Sequence, residues 1–314
     1  MLFHSIDFAI FLVLVFALYW TVGRSNHKIQ NWILLVSSYI FYGWWDWWVV
    51  LLLMTSSTTD YLVGQKLMST THQVKRKLWL LLSLGVNLGL LSYFKYFNFF
   101  IDTFVSSFTF LGFNIEATAV DIILPIGLSF YTFQTLSYTI DVYRNKVEAT
   151  NDWVEFFTFV GFFPQLVAGP IERASNMLKQ FRTARVFDIN EAKDGMRQIL
   201  WGLSKKIVVG DTCGRIVDEV FTNYSAHTAS TLLMGTFLFS IQVYCDFSGY
   251  SDIAIGLGKL FNIRLRQNFN FPFFSMDIRE FWSKWHISLT SWFRDYVYIP
   301  LGGNSGSKLS LIHI

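Results

Sequence analysis

The amino-acid sequence predicts an all-α, polytopic membrane protein. It reads as a single domain over residues 1–314 with about seven to nine membrane segments, one of them re-entrant. Three observations carry this prediction. Hydrophobic residues make up 53% of the chain and charged residues 15%, against about 25% charged in a soluble domain. Aromatics reach 19%, with 33 Phe, 14 Tyr and 12 Trp; a soluble fold has too little interior for them, whereas Trp and Tyr suit membrane–water interfaces. Apolar runs recur along the chain, and the loops between them are basic on one side and acidic on the other.

The first run, Ile6–Val22, lacks the basic leader and small-residue cleavage site of a signal peptide, so it reads as the first membrane helix. Asn31–Trp45 and Trp47–Val63 form a helical hairpin. Its tip, GWWDWW at Gly43–Trp48, is an interfacial aromatic anchor. Gly64–Lys77 carries Lys66, Lys75, Arg76 and Lys77 without an acid, which places it in the cytoplasm. Leu78–Phe100 crosses next, with Lys95 able to snorkel. Ile101–Asp121 holds Asp102, Glu116 and Asp121 but no Lys or Arg, and is expected outside. Ile122–Ile140 returns, with Pro125 and Gly127 in its first turns.

Trp153–Pro170 is broken by Pro164, Gly169 and Pro170. Basic residues follow it at Arg173, Lys179, Arg182, Arg185, Lys193 and Arg197, so both flanks read as cytoplasmic and the segment as re-entrant. Gln198–Val209, interrupted by Lys205 and Lys206, reads as a short interfacial helix, and Asp211–Ser230 as external. Thr231–Leu257 is a full span containing Asp246 and Asp252. Lys259, Arg264 and Arg266 bring the chain back to the cytoplasm, and Trp285–Leu301 enters the membrane again despite Arg294 and Asp295.

Several function classes are excluded. The net charge is only +3 and no long basic run exists, which argues against nucleic acid. Cys213 and Cys245 offer neither a disulfide framework nor metal spacing, and no histidine pair has ligand spacing, so no metal site is expected. There is no GxSxG elbow and no GxxxxGK[ST] loop.

His286 is the sharpest candidate for chemistry. It follows a charged stretch, Asp277, Arg279, Glu280 and Lys284, and precedes Ser288 and Thr290. Trp282, Trp285 and Trp292 are placed to wall a dry cleft, in which a neutral imidazole can take a proton from a substrate hydroxyl. The alternative is a packed histidine bonded to a backbone carbonyl. Ionisable groups at membrane depth default to function, which brings in Asp246. Its alternative is a structural carboxylate, bonded to hydroxyls or to a basic partner on a neighbouring helix such as Arg279 or Arg294. The site set is therefore His286 as the catalytic candidate, with Asp246, Asn268, Trp285, Ser288 and Arg294 as candidates for substrate binding.

The motifs then add up to a family. SSYIFYGWW (Ser37–Trp45), LSYFKYFNFF (Leu91–Phe100), ILPIGLSFYTFQTLSYTIDVYR (Ile123–Arg144), FFPQLVAGPIER (Phe162–Arg173), QVYCDFSGYSDIAIGLG (Gln242–Gly258) and REFWSKWHISLTSWFRDYVYIPLGGN (Arg279–Asn304) are spread over roughly residues 1 to 306. The chain resembles the membrane-bound O-acyltransferases, in the branch of alginate O-acetylation proteins. The resemblance implies a multi-pass enzyme of the cell's cytoplasmic membrane that moves an acyl group, usually acetyl, onto hydroxyls of an extracytoplasmic polysaccharide. It implies no bound cofactor, an acyl donor such as acetyl-CoA or a similar thioester as co-substrate, and partner acetyltransferase proteins. His286 matches the family's WHIS histidine.

The same resemblance implies a second functional histidine downstream, in an apolar helix and followed by glycine. His313, in LIHI, lacks that context, so the role is not carried to it, and the expectation is an amino-terminal portion with half of an acyl-transfer site. Two other readings stand beside the enzyme. One is a non-catalytic scaffold. The other is a transporter, which shares broken helices and intramembrane carboxylates but for which no inverted repeat is visible.

Overall fold

The computed structural model describes residues 1–305 apart from Leu2, Ser25, Trp45, 113–124 and Ala168. The expectations for Glu116, Asp121, the start of the Ile122 span, Ser307–Ile314 and His313 lie outside the described residues. Within them the regular structure is helical: α1 (Ile6–Thr21), α2 (His27–Gly43), α3 (Trp47–Ser69), α4 (Gln73–Phe110), α5 (Leu128–Tyr143), α6 (Trp153–Gly161), α7 (Phe163–Leu166), α8 (Ala174–Phe181), α9 (Ile189–Leu203), α10 (Asp211–Thr222), α11 (Ala229–Leu260), α12 (Ile278–Lys284) and α13 (Ile287–Phe293). A π-helical stretch at Ser204–Gly210 joins α9 to α10, and another at Arg294–Tyr298 follows α13.

Beside an apolar core that includes Leu34, Phe41, Phe159 and Leu257, polar side chains are buried between the helices and many large apolar ones face outward. Gln30, Asn31, Ser38, Ser56, Asp60, Asn87 and Thr135 are buried, while Ile10, Val13, Leu14, Leu82, Leu88, Phe99, Phe104, Leu233 and Phe237 face outward. Small and polar residues between helices with apolar residues around the rim is the arrangement a lipid solvent selects. Asp60 on α3 is fully buried and collects the hydroxyls of Ser83 and Thr139 and the amide of Asn87, tying α3 to α4 and α5. Among the described residues α4 is the one helix long and apolar enough to cross a bilayer by composition alone. Helices α1, α2 and α5 are shorter, at 16, 17 and 16 residues.

Several expected boundaries shift. α4 runs through Phe110, so the first part of the loop expected at Ile101–Asp121 is helical. Pro125 and Gly127 precede α5 rather than opening it. Gly127 caps the helix with φ of 82°, and a Cβ there would sit 2.6 Å from the Leu166 carbonyl oxygen, so both conformation and space demand glycine.

The broken segment enters and returns. Trp153, at the head of α6, packs edge-on against Trp32, and further along the backbone N–H of Phe163 donates to Ser38 Oγ at 3.0 Å. Pro164 sits in the first turn of α7, where its missing donor costs nothing. The chain then comes back to its starting end, where Arg182 Nε meets Glu155 Oε1 at 2.9 Å. All of Val154–Leu166 is buried, which is the condition for broken backbone at membrane depth.

The largest correction concerns residues 189–222. The expected short interfacial helix and external loop are one continuous helical run, α9–π–α10, packed antiparallel against α11. The pair closes on glycines: a Cβ on Gly195 would lie 2.6 Å from the Gly256 carbonyl oxygen, and one on Gly202 would lie 2.5 Å from that of Gly249. Lys205 and Lys206 do not interrupt the helix because α11 supplies their counter-ions. Lys206 Nζ lies 2.8 Å from Asp246 Oδ1 and 2.7 Å from Asp211 Oδ1, and Lys205 pairs with Asp252.

Candidate active site

His286 sits at the junction of α12 and α13, in a left-handed conformation with φ of 42° and ψ of 54°. This region is sparsely populated by non-glycine residues and is held only where the surroundings enforce it. Asn268 does the enforcing. Its backbone carbonyl accepts from Ile287 N at 2.9 Å, and two residues on Asn270 N donates to Lys284 O at 3.0 Å. The approach strand is thereby clamped across the helix break.

The Asn268 side chain extends the clamp. It is fully buried, and its Oδ1 accepts from Ser288 Oγ at 2.9 Å and from Ser288 N at 3.3 Å. Ser288 Oγ in turn accepts from Ile171 N at 3.0 Å, in the segment that leaves the re-entrant element. The amide oxygen is thus saturated from one side, and this fixes the orientation of the group. Its Nδ2 has no hydrogen-bond partner among the described residues, and neither has the buried Nε2 of His286. Two buried, oriented, unpaired nitrogens are what a polar ligand would satisfy.

Aromatic rings wall the imidazole. Phe247 meets it edge-on at 4.6 Å, Phe269 lies near-parallel at 6.3 Å and Phe130 at 6.4 Å. These rings, rather than the expected trio of tryptophans, form the dry wall. Trp285 stacks on Phe281 at 5.5 Å and abuts Phe269 at 5.1 Å, one ring removed from His286. Trp292 turns away, donating to Phe133 O at 2.8 Å, and Trp282 is about half exposed. Beside Asn268 and Phe269 opens a cavity of about 240 Å³, bordered by Lys205, Tyr244, Ser248 and Asp252. Lys205 Nζ donates to Ser248 Oγ at 3.1 Å.

The structure therefore brings together His286, Asn268, Ser288 and, through Phe269, Trp285. It does not bring Asp246 and Arg294 into that group. Asp246 is paired with Lys206, not with Arg279 or Arg294. Arg294 is largely exposed and pairs with its neighbour Asp295 at 2.9 Å. Sequence reasoning missed Phe247, Lys205 and Asp252. A signal for the last two was present: glycines spaced by seven on both helices, Gly195 and Gly202, Gly249 and Gly256, which predict a close crossing that sets lysines against aspartates.

Comparison with known proteins accounts for this arrangement. The sequence model of the membrane-bound O-acyltransferase family matches residues 17–313. The probable alginate O-acetylase AlgI of Pseudomonas syringae is 39% identical over 301 residues, covering 96% of this chain and 57% of that protein. The peptidoglycan O-acetyltransferase of Helicobacter pylori is 34% identical over 304 residues, covering 88% of this chain and 56% of its own length. The teichoic acid D-alanyltransferase of Bacillus subtilis is 30% identical over 182 residues, 55% of this chain. The chain thus spans a little over half the length of the two longer matches. With the match running nearly end to end and the helix-break histidine inside it, the chain belongs to the membrane-bound O-acyltransferase family, a family of membrane proteins.

Proposed function

We propose that this chain contributes to a multi-pass O-acyltransferase of the cytoplasmic membrane, which transfers an acetyl or similar small acyl group to hydroxyls of an extracytoplasmic polysaccharide. The observation that carries the reading is a pair of buried nitrogens without a partner among the described residues, His286 Nε2 and Asn268 Nδ2, on residues linked through the Ile287 N–H to Asn268 carbonyl bond. The relatives differ in acceptor, their names giving alginate, peptidoglycan and teichoic acid, yet each name describes transfer of an acetyl or D-alanyl group.

In this mechanism His286 Nε2 accepts the proton of an acceptor hydroxyl as its oxygen attacks the acyl carbon of a thioester such as acetyl-CoA. The new C–O bond forms, the C–S bond breaks, and the thiolate leaves with the proton returned through His286. The Asn268 amide donates to the oxyanion as it develops, in a site whose aromatic walls exclude water. Trp285 supports the wall through Phe269, and Ser288 holds the amide. Lys205, Asp252 and Ser248 present donors and acceptors to a hydroxylated acceptor in the adjoining cavity. Partner acetyltransferase proteins complete the pathway outside the membrane.

The test is His286→Ala in the full-length protein, with membrane expression and gel-filtration profile as folding controls. Loss of acyl transfer with a normal profile supports the reading. Retained transfer would remove His286 from the chemistry and leave it the packed histidine of the alternative reading.

A further inference from the structure

A second polar cavity, of about 200 Å³, lies away from His286 among Asp141, Arg144, Lys146, Arg173, Arg266 and Asp295. Four cations face two carboxylates there. Neither carboxylate is free: Asp141 accepts from Tyr296 OH at 2.7 Å, and Asp295 is held by Arg173 at 3.0 Å while also serving Arg294. Glu172 serves Arg266, accepting its backbone N–H and lying 3.9 Å from its Nε, so among the described residues Arg144 and Lys146 are the lining cations without a carboxylate in ion-pair contact. Arg173 and Arg144 both lie against the Tyr296 ring, at 4.4 and 5.5 Å from its centre. Two like charges on one ring, with Lys146 alongside, leave a positive surplus around an open space.

An independent feature adds to the same sign. Helix α8 begins at Ala174, its N-cap residue Arg173 making no side-chain cap bond, and its second residue, Ser175, lines the cavity. The first N–H groups of a helix lack intrahelical acceptors, and its N-terminus carries partial positive charge, which together favour an anion. The guanidinium groups supply paired donors that suit phosphate oxygens.

We propose that this cavity binds a phosphate group. The inference rests on the acyl-transfer reading only for its purpose. The pocket and His286 sit at two ends of one element, α13 and its π-helical continuation, separated by about 13 Å at helical rise. A phosphate anchored here leaves that length for an acyl-bearing arm to reach the imidazole. Both a phosphorylated acyl donor and an anionic phospholipid headgroup present the required chemistry.

The experiment uses the full-length protein in phosphatidylcholine nanodiscs, with inorganic pyrophosphate as the calorimetric probe at constant ionic strength. Saturable binding is expected, weakened about tenfold or more in Lys146→Ala/Arg144→Gln. Lys146→Ala alone, at an exposed side chain, gives a partial loss and guards against misfolding of the double variant. Absence of saturable binding, or equal affinity in both variants, overturns the proposal. Repeating the titration in nanodiscs containing phosphatidylglycerol separates the sources: competition by the lipid identifies a headgroup site, and unchanged pyrophosphate affinity identifies a soluble ligand. His286→Ala leaves pyrophosphate binding intact, so failure of this site and failure of the catalytic reading are told apart.

Discussion

Ser288→Ala is the perturbation that reads the candidate site most directly. The Ser288 hydroxyl performs two jobs in a buried place: it donates to Asn268 Oδ1 at 2.9 Å and accepts from Ile171 N at 3.0 Å. Removing it leaves the Ile171 N–H buried without an acceptor, a loss of about 1–3 kcal/mol in stability. It also leaves Asn268 Oδ1 with only the longer bond from Ser288 N, at 3.3 Å, so the amide is free to rotate. Loss of an oxyanion donor costs about 10²–10³ in kcat. A donor that is loosened rather than deleted should cost about tenfold, with Asn268→Ala giving the full loss. The assay is acyl transfer by the full-length protein in native membranes, with kcat and KM separated and melting followed by gel filtration after heating. A merely structural serine would lower the melting temperature and leave kcat untouched; Ser288→Thr, which keeps the hydroxyl, should recover kcat. Unchanged kcat in both Ser288→Ala and Asn268→Ala, in folded protein, would refute the oriented-amide argument.

Other expectations follow from the packing. Gly256→Ala places a methyl 2.5 Å from the Gly195 carbonyl oxygen and should cost about 1–3 kcal/mol by forcing α9 from α11; Gly85→Ala, with nothing within 4 Å, is the neutral control in the same melting assay. Asp60→Ala strands the buried donors of Ser83, Asn87 and Thr139, so expression and thermal stability should fall by more than about 3 kcal/mol equivalent; a normal melt would show that water replaces the carboxylate. Lys206→Met leaves Asp246 and Asp211 without their cation. It should destabilise more than the Lys206→Met/Asp246→Leu pair, because the double variant removes the more buried of the two stranded carboxylates and leaves only Asp211, which is exposed enough to hydrate; equal losses would mean that Asp246 is solvated as well.

Much of the fold was legible because its signals are local. The first helix, the α2–α3 hairpin and the break at Pro164 follow from apolar length and from proline chemistry, which a short window contains. What stayed hidden depends on partners far along the chain. Lys205 and Lys206 read as an interruption because their counter-ions, Asp252 and Asp246, lie on a different helix. The lysine that pairs with Asp246 stays hidden for the same reason, since it lies on a helical run some 40 residues away in sequence. The extension of α4 to Phe110 was lost because Ile101–Phe110 mixes Phe with Ser and Thr, a composition that favours neither helix nor loop on its own. At the site, His286 and Ser288 stood out by type and spacing. The wall of Phe247 and Phe269 did not, since in a chain so rich in phenylalanine no single ring is distinctive.

The backbone strain at His286 ties these parts together. A non-glycine residue at φ of 42° costs about 1–3 kcal/mol and persists only when its neighbours over-determine it. Here the Asn268 carbonyl, the Asn270–Lys284 bond and the Ser288 hydroxyl do so. The strain breaks the α12–α13 line at the imidazole, which lies among Phe130, Phe247 and Phe269, while the residue that enforces it carries an unpaired amide nitrogen of its own. Ser288 then receives the N–H of Ile171 from the re-entrant segment, and Arg173, two residues on, grips Asp295 at the far end of the same element. Movement of the re-entrant segment would therefore be felt at both ends of α13: through Ser288 at the amide, and through Arg173 at the basic cavity. A double-mutant cycle between Ser288→Ala and Arg173→Lys measures that link. Coupling beyond about 0.5 kcal/mol in melting supports a shared element. Strict additivity would mean that the two contacts act independently and that the segment only caps the site.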